Sequence, residues 1–212
     1  MNGAAQRYWD EKAAQLTFTH PLDLDWLADL PKPARILDYG CGYGRTLAEL
    51  RDAGWRNSIG VDFSSAMIER GRREQPDLEL RTISTTRVDE PDGAFDAALL
   101  FAVLTTIPGD GDQLAVMAEL GRLLQPGGWL YLSDYPLQAD ARSLARYRAG
   151  EASHGVYGVW DRDDGGVFRH QTRDGLERLL AGFEMVAQRQ VETTTFSGAL
   201  ATAIQVLARR LS

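Results

Sequence analysis

Apolar positions along the chain follow two rhythms that alternate with each other. Residues 4–15 carry Tyr8 and Trp9 among polar neighbours and predict a short helix. A second helix is predicted after Thr19 to Pro21, with Leu22, Leu24, Trp26, Leu27 and Leu30 as its apolar positions and Pro31 and Pro33 as its stop. From there short apolar runs alternate with helical stretches. Strands are predicted over 35–39, 57–61, 78–83, 95–101 and 129–133, and the run at 95–101 is apolar enough to be covered on both faces. The intervening helices fall at 43–53, from an N-cap at Ser64 to 75, and at 110–124, where Asp110 with Gln113 reads as a capping box. Residues 125–128, Gln-Pro-Gly-Gly, read as a turn.

The rhythm loosens towards the C-terminus. Residues 138–149 read as helix, and 150–170, rich in glycine and aromatics, as a loop or hairpin cover. Thr172 caps a helix to 181, and 183–191 and 201–208 are the last strands. Alternating strands and helices imply an α/β fold, a mostly parallel sheet with helices on both faces. The interval 192–200 is too short for a right-handed helical crossover, so the last strand is expected to be antiparallel.

With 212 residues the chain is expected to form a single domain spanning 1–212. Residues 1–30 would be a helical N-terminal cover and 138–170 an insert over the substrate. Lys and Arg total 23 against 30 acids, a net charge of -7, which disfavours non-specific nucleic-acid binding. The single cysteine, Cys41, excludes an internal disulfide and fits a reducing cytoplasm. Residues 1–11 lack an apolar signal core, and no run of eighteen apolar residues predicts a membrane span.

The chemistry concentrates at Ile36-Leu37-Asp38-Tyr39-Gly40-Cys41-Gly42-Tyr43-Gly44. A strand runs into closely spaced glycines and a helix follows, so backbone can approach a ligand and unpaired N–H groups face it. No Gly-Lys-Ser/Thr follows, which separates the loop from nucleotide-hydrolase phosphate loops. The third glycine comes one residue early for the dinucleotide spacing G-x-G-x-x-G. An adenosine carrying an amino-acid group suits the loop as well as a pyrophosphate does. Asp62, at the end of the second strand, is placed to accept both hydroxyls of a ribose, or else to cap the helix after it.

The stretches 37–44, 60–64, 92–104, 123–134 and 172–186 together resemble class I S-adenosylmethionine-dependent methyltransferases, in particular the small-molecule branch that includes the ubiquinone and menaquinone enzymes. The resemblance covers 34–208. It implies a Rossmann-like seven-stranded, mostly parallel sheet with an antiparallel last strand. It also implies roles. Asp38 would orient the loop and help hold the methionine amino group, Gly40, Cys41, Gly42 and Gly44 would line the methionine and ribose, and Asp62 would hold the ribose. Phe63 would pack on adenine and Ala102 would lie near the sulfonium. The acid many relatives carry after the third strand is missing; Ser84 or Thr85 would replace it with a hydroxyl. Thr106 stands where relatives often have histidine. Arg45 reads equally as a partner of the methionine carboxylate or as a helix-surface ion pair.

Methyl transfer from a sulfonium needs an acceptor held in line and no obligatory base. If a base is used, histidine is the leading type, with His170 ranked before His20 and His154 third. Tyr8 and Trp9 in an N-terminal lid, with Arg146, Tyr147, Tyr157, Trp160 and Arg169, form the expected substrate set. Arginines suit an anionic acceptor and aromatics a planar or cationic one. No metal is expected. The chain is read as a monomer or homodimer acting on a small molecule, with S-adenosylhomocysteine as product. Three other readings remain: a protein or tRNA acceptor, a nicotinamide-dependent oxidoreductase, and a non-catalytic S-adenosylmethionine-binding protein.

Overall fold

A computed structural model describes residues 3–195 and 198–212. Seven strands form one sheet in the order β3-β2-β1-β4-β5-β9-β8. The first five are β1 (Ile36–Tyr39), β2 (Ser58–Asp62), β3 (Glu79–Thr82), β4 (Phe95–Phe101) and β5 (Leu124–Asp134), all mutually parallel. The last two are β8 (Phe183–Thr194) and β9 (Leu200–Arg210), and β9 runs antiparallel to both of its neighbours. The sheet is therefore the expected one, with a single reversed strand.

Successive side chains in a strand point to opposite faces, and the burial follows that period. Leu37, Ala98, Leu100, Leu130 and Leu132 pack with Val116, Met117 and Leu120 of α4 (Asp110–Leu123) and Leu176 and Leu179 of α6 (Arg173–Leu179). Ile36, Ala97, Leu99 and Tyr131 pack on the other face with Leu47 and Leu50 of α2 (Arg45–Asp52) and Ile68 of α3 (Ser65–Glu74). Fully burying one such side chain is worth about 1.5–3 kcal/mol, so both layers hold the sheet edges in place. As expected, Ser64 and Thr172 cap α3 and α6 through their hydroxyls.

Four local expectations need correction. The helix predicted after Pro21 is a single 3-10 turn, Leu24–Leu27. Asp23 takes the amide of Asp25 and gives its own amide to Tyr131, so the segment is tied to the sheet before an α-helix can nucleate. The capping box at 110 is not formed. Gly109 is the N-cap, Asp110 pairs with Arg169, and the buried Gln113 amide reaches the carbonyls of Leu104 and Ile107. The turn at 125–128 is the lead-in of β5, with the register to β4 shifting between Phe95 and Ala97. Finally, α5 (Ala141–His154) does not stop at Gly150. A Cβ on Gly150 would lie 1.8 Å from the Val159 carbonyl oxygen, so glycine serves close approach there.

The cover over 150–170 consists of the end of α5 and a hairpin, β6 (Val159–Asp161) with β7 (Val167–Arg169). The N-terminal helix α1 (Gly3–Lys12) reaches from that hairpin to α3. Tyr8 and Lys12 meet Asp164 at 3.2 Å and 3.5 Å, while Asp10 accepts the Ser64 hydroxyl at 2.6 Å and the Ala66 amide at 3.1 Å. Among the described residues, no helix is long and apolar enough to cross a membrane.

Candidate active site

Strand order reverses between β1 and β4, which is where open α/β sheets leave a crevice at their C-terminal ends. A cavity of about 560 Å³ opens there, lined by Gly40, Cys41 and Gly42 after β1, Asp62 and Phe63 at the end of β2, and Ala102 after β4.

The turn after β1 is held open by what it lacks. Gly40 and Gly42 have φ of 78° and 55°, where side chains are rarely tolerated. A Cβ on Gly40 would stand 2.3 Å from Val103 Cγ2, and one on Gly42 would stand 2.2 Å from Phe18 Cε2. Ala102 has φ 56° without being glycine, a conformation of about 1–2 kcal/mol cost, and its backbone N–H donates to the Ser133 carbonyl at 2.7 Å.

Two buried carboxylates face this turn. Asp62 accepts the Gly42 amide at 2.9 Å on one oxygen and the Ser64 amide at 2.8 Å on the other. The Phe63 amide also acts on this carboxylate, and with four lone-pair sites it keeps acceptor capacity for a ligand hydroxyl. Burial raises the Asp62 pKa to about 6, opposed by those amide bonds. Asp38 accepts the Thr46 hydroxyl and is likewise raised by burial to about 6. Asp134, at the end of β5, accepts the Tyr135 amide at 2.7 Å and the Thr105 amide at 3.2 Å, and burial raises it to about 7. Burial pushes the Cys41 thiol up.

The opposite end of the cavity is aromatic. His20, Tyr135, Arg146, Trp160 and His170 line it. His20 Nδ1 lies 2.7 Å from Ser133 Oγ, and His170 Nδ1 lies 2.6 Å from the Tyr147 hydroxyl. Burial lowers His20 to about 4 and His170 to about 3, with Arg45 and Arg146 respectively pushing the same way. The Arg146 guanidinium lies 4.0 Å over Trp160.

The sequence-predicted residues divide accordingly. Asp38, Gly40, Cys41, Gly42, Arg45, Asp62, Phe63 and Ala102 line the cavity, as do Trp9, His20, Arg146, Trp160 and His170. Others stand away from it. Gly44 caps α2, and Ser84 and Thr85 are exposed while Ile83 takes the lining position. Arg45, although in the lining, is occupied, bonding the His20 carbonyl and Glu49 at 2.5 Å each. Arg169 bonds the Pro108 carbonyl at 2.9 Å and Asp110 at 2.7 Å, outside the lining. Tyr147 is buried behind His170, Tyr157 packs edge-on against Tyr147 at 5.5 Å, and Tyr8 holds Asp164. His154 pairs with Asp161 at 2.8 Å.

Sequence reasoning missed Phe18, Thr46, Tyr135, and Thr194, Thr195, Ala199, Leu200 and Ala201 at the facing ends of β8 and β9. Only Tyr135 carried a local signal, as the residue following a strand end. Among the described residues, no group of three His, Cys, Asp or Glu is arranged to hold a metal ion.

Comparisons with known proteins bear on this geometry. A family profile described as a methyltransferase domain matches residues 6–188. A demethylmenaquinone methyltransferase of Beutenbergia cavernae is 33% identical over 124 residues, 58% of this chain and 47% of that protein. A 27-O-demethylrifamycin SV methyltransferase of Amycolatopsis mediterranei is 30% identical over 186 residues, 80% of this chain and 65% of that protein. The matched region thus spans about half to two-thirds of these relatives' length. A solved S-adenosylmethionine-dependent methyltransferase of Methanosarcina mazei superposes with a TM-score of 0.84 at 24% identity, covering 91% of this chain and 99% of that one.

Proposed function

The chain belongs to the methyltransferase-domain family, within the class I S-adenosylmethionine-dependent superfamily, and from that premise we propose that it methylates a small molecule on oxygen, nitrogen or carbon. The observation that carries this reading is the Asp62 carboxylate, buried beside the Gly42 turn and bonded to its amide, with acceptor capacity left over.

The residues present fit the cofactor. Gly40 and Gly42 leave a cradle that a Cβ would fill, and Asp62 accepts a ribose diol. Asp38 beside Thr46 offers a carboxylate to an ammonium, and Phe63 and Ile83 offer apolar surface to a purine. S-adenosylmethionine held by these residues would supply a sulfonium methyl group to the acceptor.

What this chain contributes is position and exclusion of water. Helix α1 and the β6–β7 hairpin meet at Asp164 over the cavity, and their closure keeps acceptor and donor in one frame. A cavity of about 560 Å³ is of the size that takes small ligands. Similarity to the demethylmenaquinone and demethylrifamycin methyltransferases supports a small-molecule acceptor.

Calorimetric titration with S-adenosylhomocysteine, with NAD in parallel, tests the premise. One-site binding of S-adenosylhomocysteine alone is expected, followed by methyl transfer to some member of a small-molecule panel. Binding of NAD alone, or of neither by folded protein, overturns it.

A further inference from the structure

His20 and His170 stand on either side of Tyr135, whose ring meets His20 edge-on at 4.8 Å and stacks on His170 at 5.1 Å. Both histidines line the cavity, and both use Nδ1 for a hydrogen bond to a protein hydroxyl. Their protons follow from satisfying every buried donor. The Tyr147 oxygen already accepts the Gln138 amide at 3.1 Å, so its own hydrogen has Nδ1 of His170 to go to, at 2.6 Å. The neutral His170 ring then carries its hydrogen on Nε2.

A longer chain fixes His20. Arg189 donates to Gln205 Oε1 at 2.9 Å and 2.6 Å, which turns the Gln205 amide nitrogen to the Pro21 carbonyl at 2.7 Å and Ser133 Oγ at 3.3 Å. Ser133 accepts there, so its hydrogen points to Nδ1 of His20 at 2.7 Å. His20 also keeps its hydrogen on Nε2, an atom that is buried and without a partner among the described residues. Burial keeps both rings neutral; Arg45 near His20 and Arg146 near His170 reinforce that, and Asp140 opposes it at His170.

Arg146 adds a charge. It lies over Trp160 at 4.0 Å with Nε buried and unpartnered, and forms no salt bridge among the described residues. Four further acids line the same cavity: Asp140 caps the Ser143 amide at 3.0 Å and its charge acts on Arg146 from a distance, Asp161 holds His154 at 2.8 Å, Asp164 holds Arg162 at 3.0 Å, and Asp163 stands between them in sequence.

We propose that His20, His170 and Arg146 recognise the acceptor, the histidines as neutral Nε2–H donors and Arg146 as counter-charge, and that the acceptor is a flat molecule carrying an anionic oxygen such as a phenolate or enolate. The histidines are then hydrogen-bond donors to the acceptor, a different role from the general base expected of them. Tyr147 and Ser133 act through them as positioning residues. This inference rests on the methyl-transfer reading, and its test separates the two.

The test has two arms. Long-range proton–nitrogen spectra of protein labelled with 15N-histidine, at pH 7, are expected to show the Nε2–H tautomer at His20 and His170; an Nδ1–H form or an imidazolium at either overturns the assignment. In the second arm 4-nitrophenol, whose phenolate absorbs visibly, is titrated against protein with and without S-adenosylhomocysteine, with 4-nitroaniline as the uncharged comparison. The phenolate is expected to bind about tenfold more tightly, with the bound phenol ionising about one pH unit lower than in solution. Arg146→Met is expected to remove the preference and Arg146→Lys to retain part of it. Equal affinity for the two probes, no affinity for either, or an unchanged preference in Arg146→Met overturns the proposal. S-adenosylhomocysteine binding is read separately in the same samples, so loss of that signal in wild-type protein counts against the methyl-transfer reading and leaves the tautomer result standing.

Discussion

One carboxylate oxygen of Asp62 accepts the backbone amide of Gly42 at 2.9 Å, joining the end of β2 to the turn after β1. Burial raises that carboxyl from 3.8 to about 6. A ribose diol donates to the ionised form, so affinity for S-adenosylhomocysteine is expected to be level above pH 6. Below that it should fall by up to about tenfold per pH unit. The fold responds with the opposite sign. Native Asp62 holds its proton to higher pH than the unfolded chain does, so its contribution to stability declines between pH 4 and 6. Calorimetric titration from pH 5 to 8 checks the first trend, and Asp62→Asn should bind weakly with a flat profile. A pH-independent wild-type affinity would contradict the assignment.

The same turn depends on an absent side chain. Gly42→Ala places a Cβ at φ 55° and 2.2 Å from Phe18 Cε2. Left-handed backbone costs alanine about 1–2 kcal/mol, and displacing Phe18 costs about 1–3 kcal/mol more. Thermal melting should report that loss together with weaker cofactor-product binding. Adding Phe18→Leu should recover the second part and leave the backbone part.

Ala102 is the opposite case, a side chain where glycine would relieve the backbone. Its φ of 56° makes Ala102→Gly a candidate stabilising change, by about 1 kcal/mol in chemical denaturation. Ala102→Val should destabilise, because a β-branched residue tolerates that backbone poorly. A neutral result for both would mean the strain is absent in solution.

His170 governs acid sensitivity. Its pKa is lowered from 6.5 to about 3, so the unfolded chain binds a proton that the native state refuses. Stability from this group is present above pH 6.5 and is lost as pH falls, by up to about 1.4 kcal/mol per pH unit. The buried carboxylates slope the other way, so the readout is the difference between wild type and His170→Gln in denaturation at pH 5 and pH 7. The variant should lose less on acidification. Equal losses would deny the buried neutral ring.

Deleting residues 1–15 removes Tyr8, Asp10 and Lys12, the bridge from the hairpin to the start of α3. Methyl transfer should fall at least tenfold while far-ultraviolet circular dichroism keeps the signature of the sheet, since closure over the acceptor carries that much of the positioning. Asp10→Ala should show a milder form of the same effect. Undiminished transfer in the deleted protein would remove α1 from any closing role.

The succession of strands and the reversal of the last one were legible because they rest on local periodicity and connection length. Apolar runs bounded by turns named the strands, and 192–200 was too short to allow a parallel return. The turn after β1 and the acid ending β2 were legible for the same reason, as a strand end fixes where the next residues emerge. The helix at 22–30 was misread because its apolar residues fit a helical face equally well, while the bonds that decide the segment come from Tyr131 and the distant β9. Gly150 was misread as a stop because nothing near it in sequence announces the Val159 carbonyl.

Spacing within a few residues is enough to specify the α/β sheet, the glycine turn and the acid beside it. Which polar side chains are spent and which are left over depends on contacts between distant segments. Arg45 and Arg169 have the same charge as Arg146, yet His20, Pro108 and Asp110 occupy the first two while Arg146 meets an aromatic face. The histidines likewise take their roles from Ser133 and Tyr147, 113 and 23 residues away in sequence. A buried donor is assigned by whichever acceptor the fold brings within reach, and that pairing is a property of packing, which periodicity does not encode.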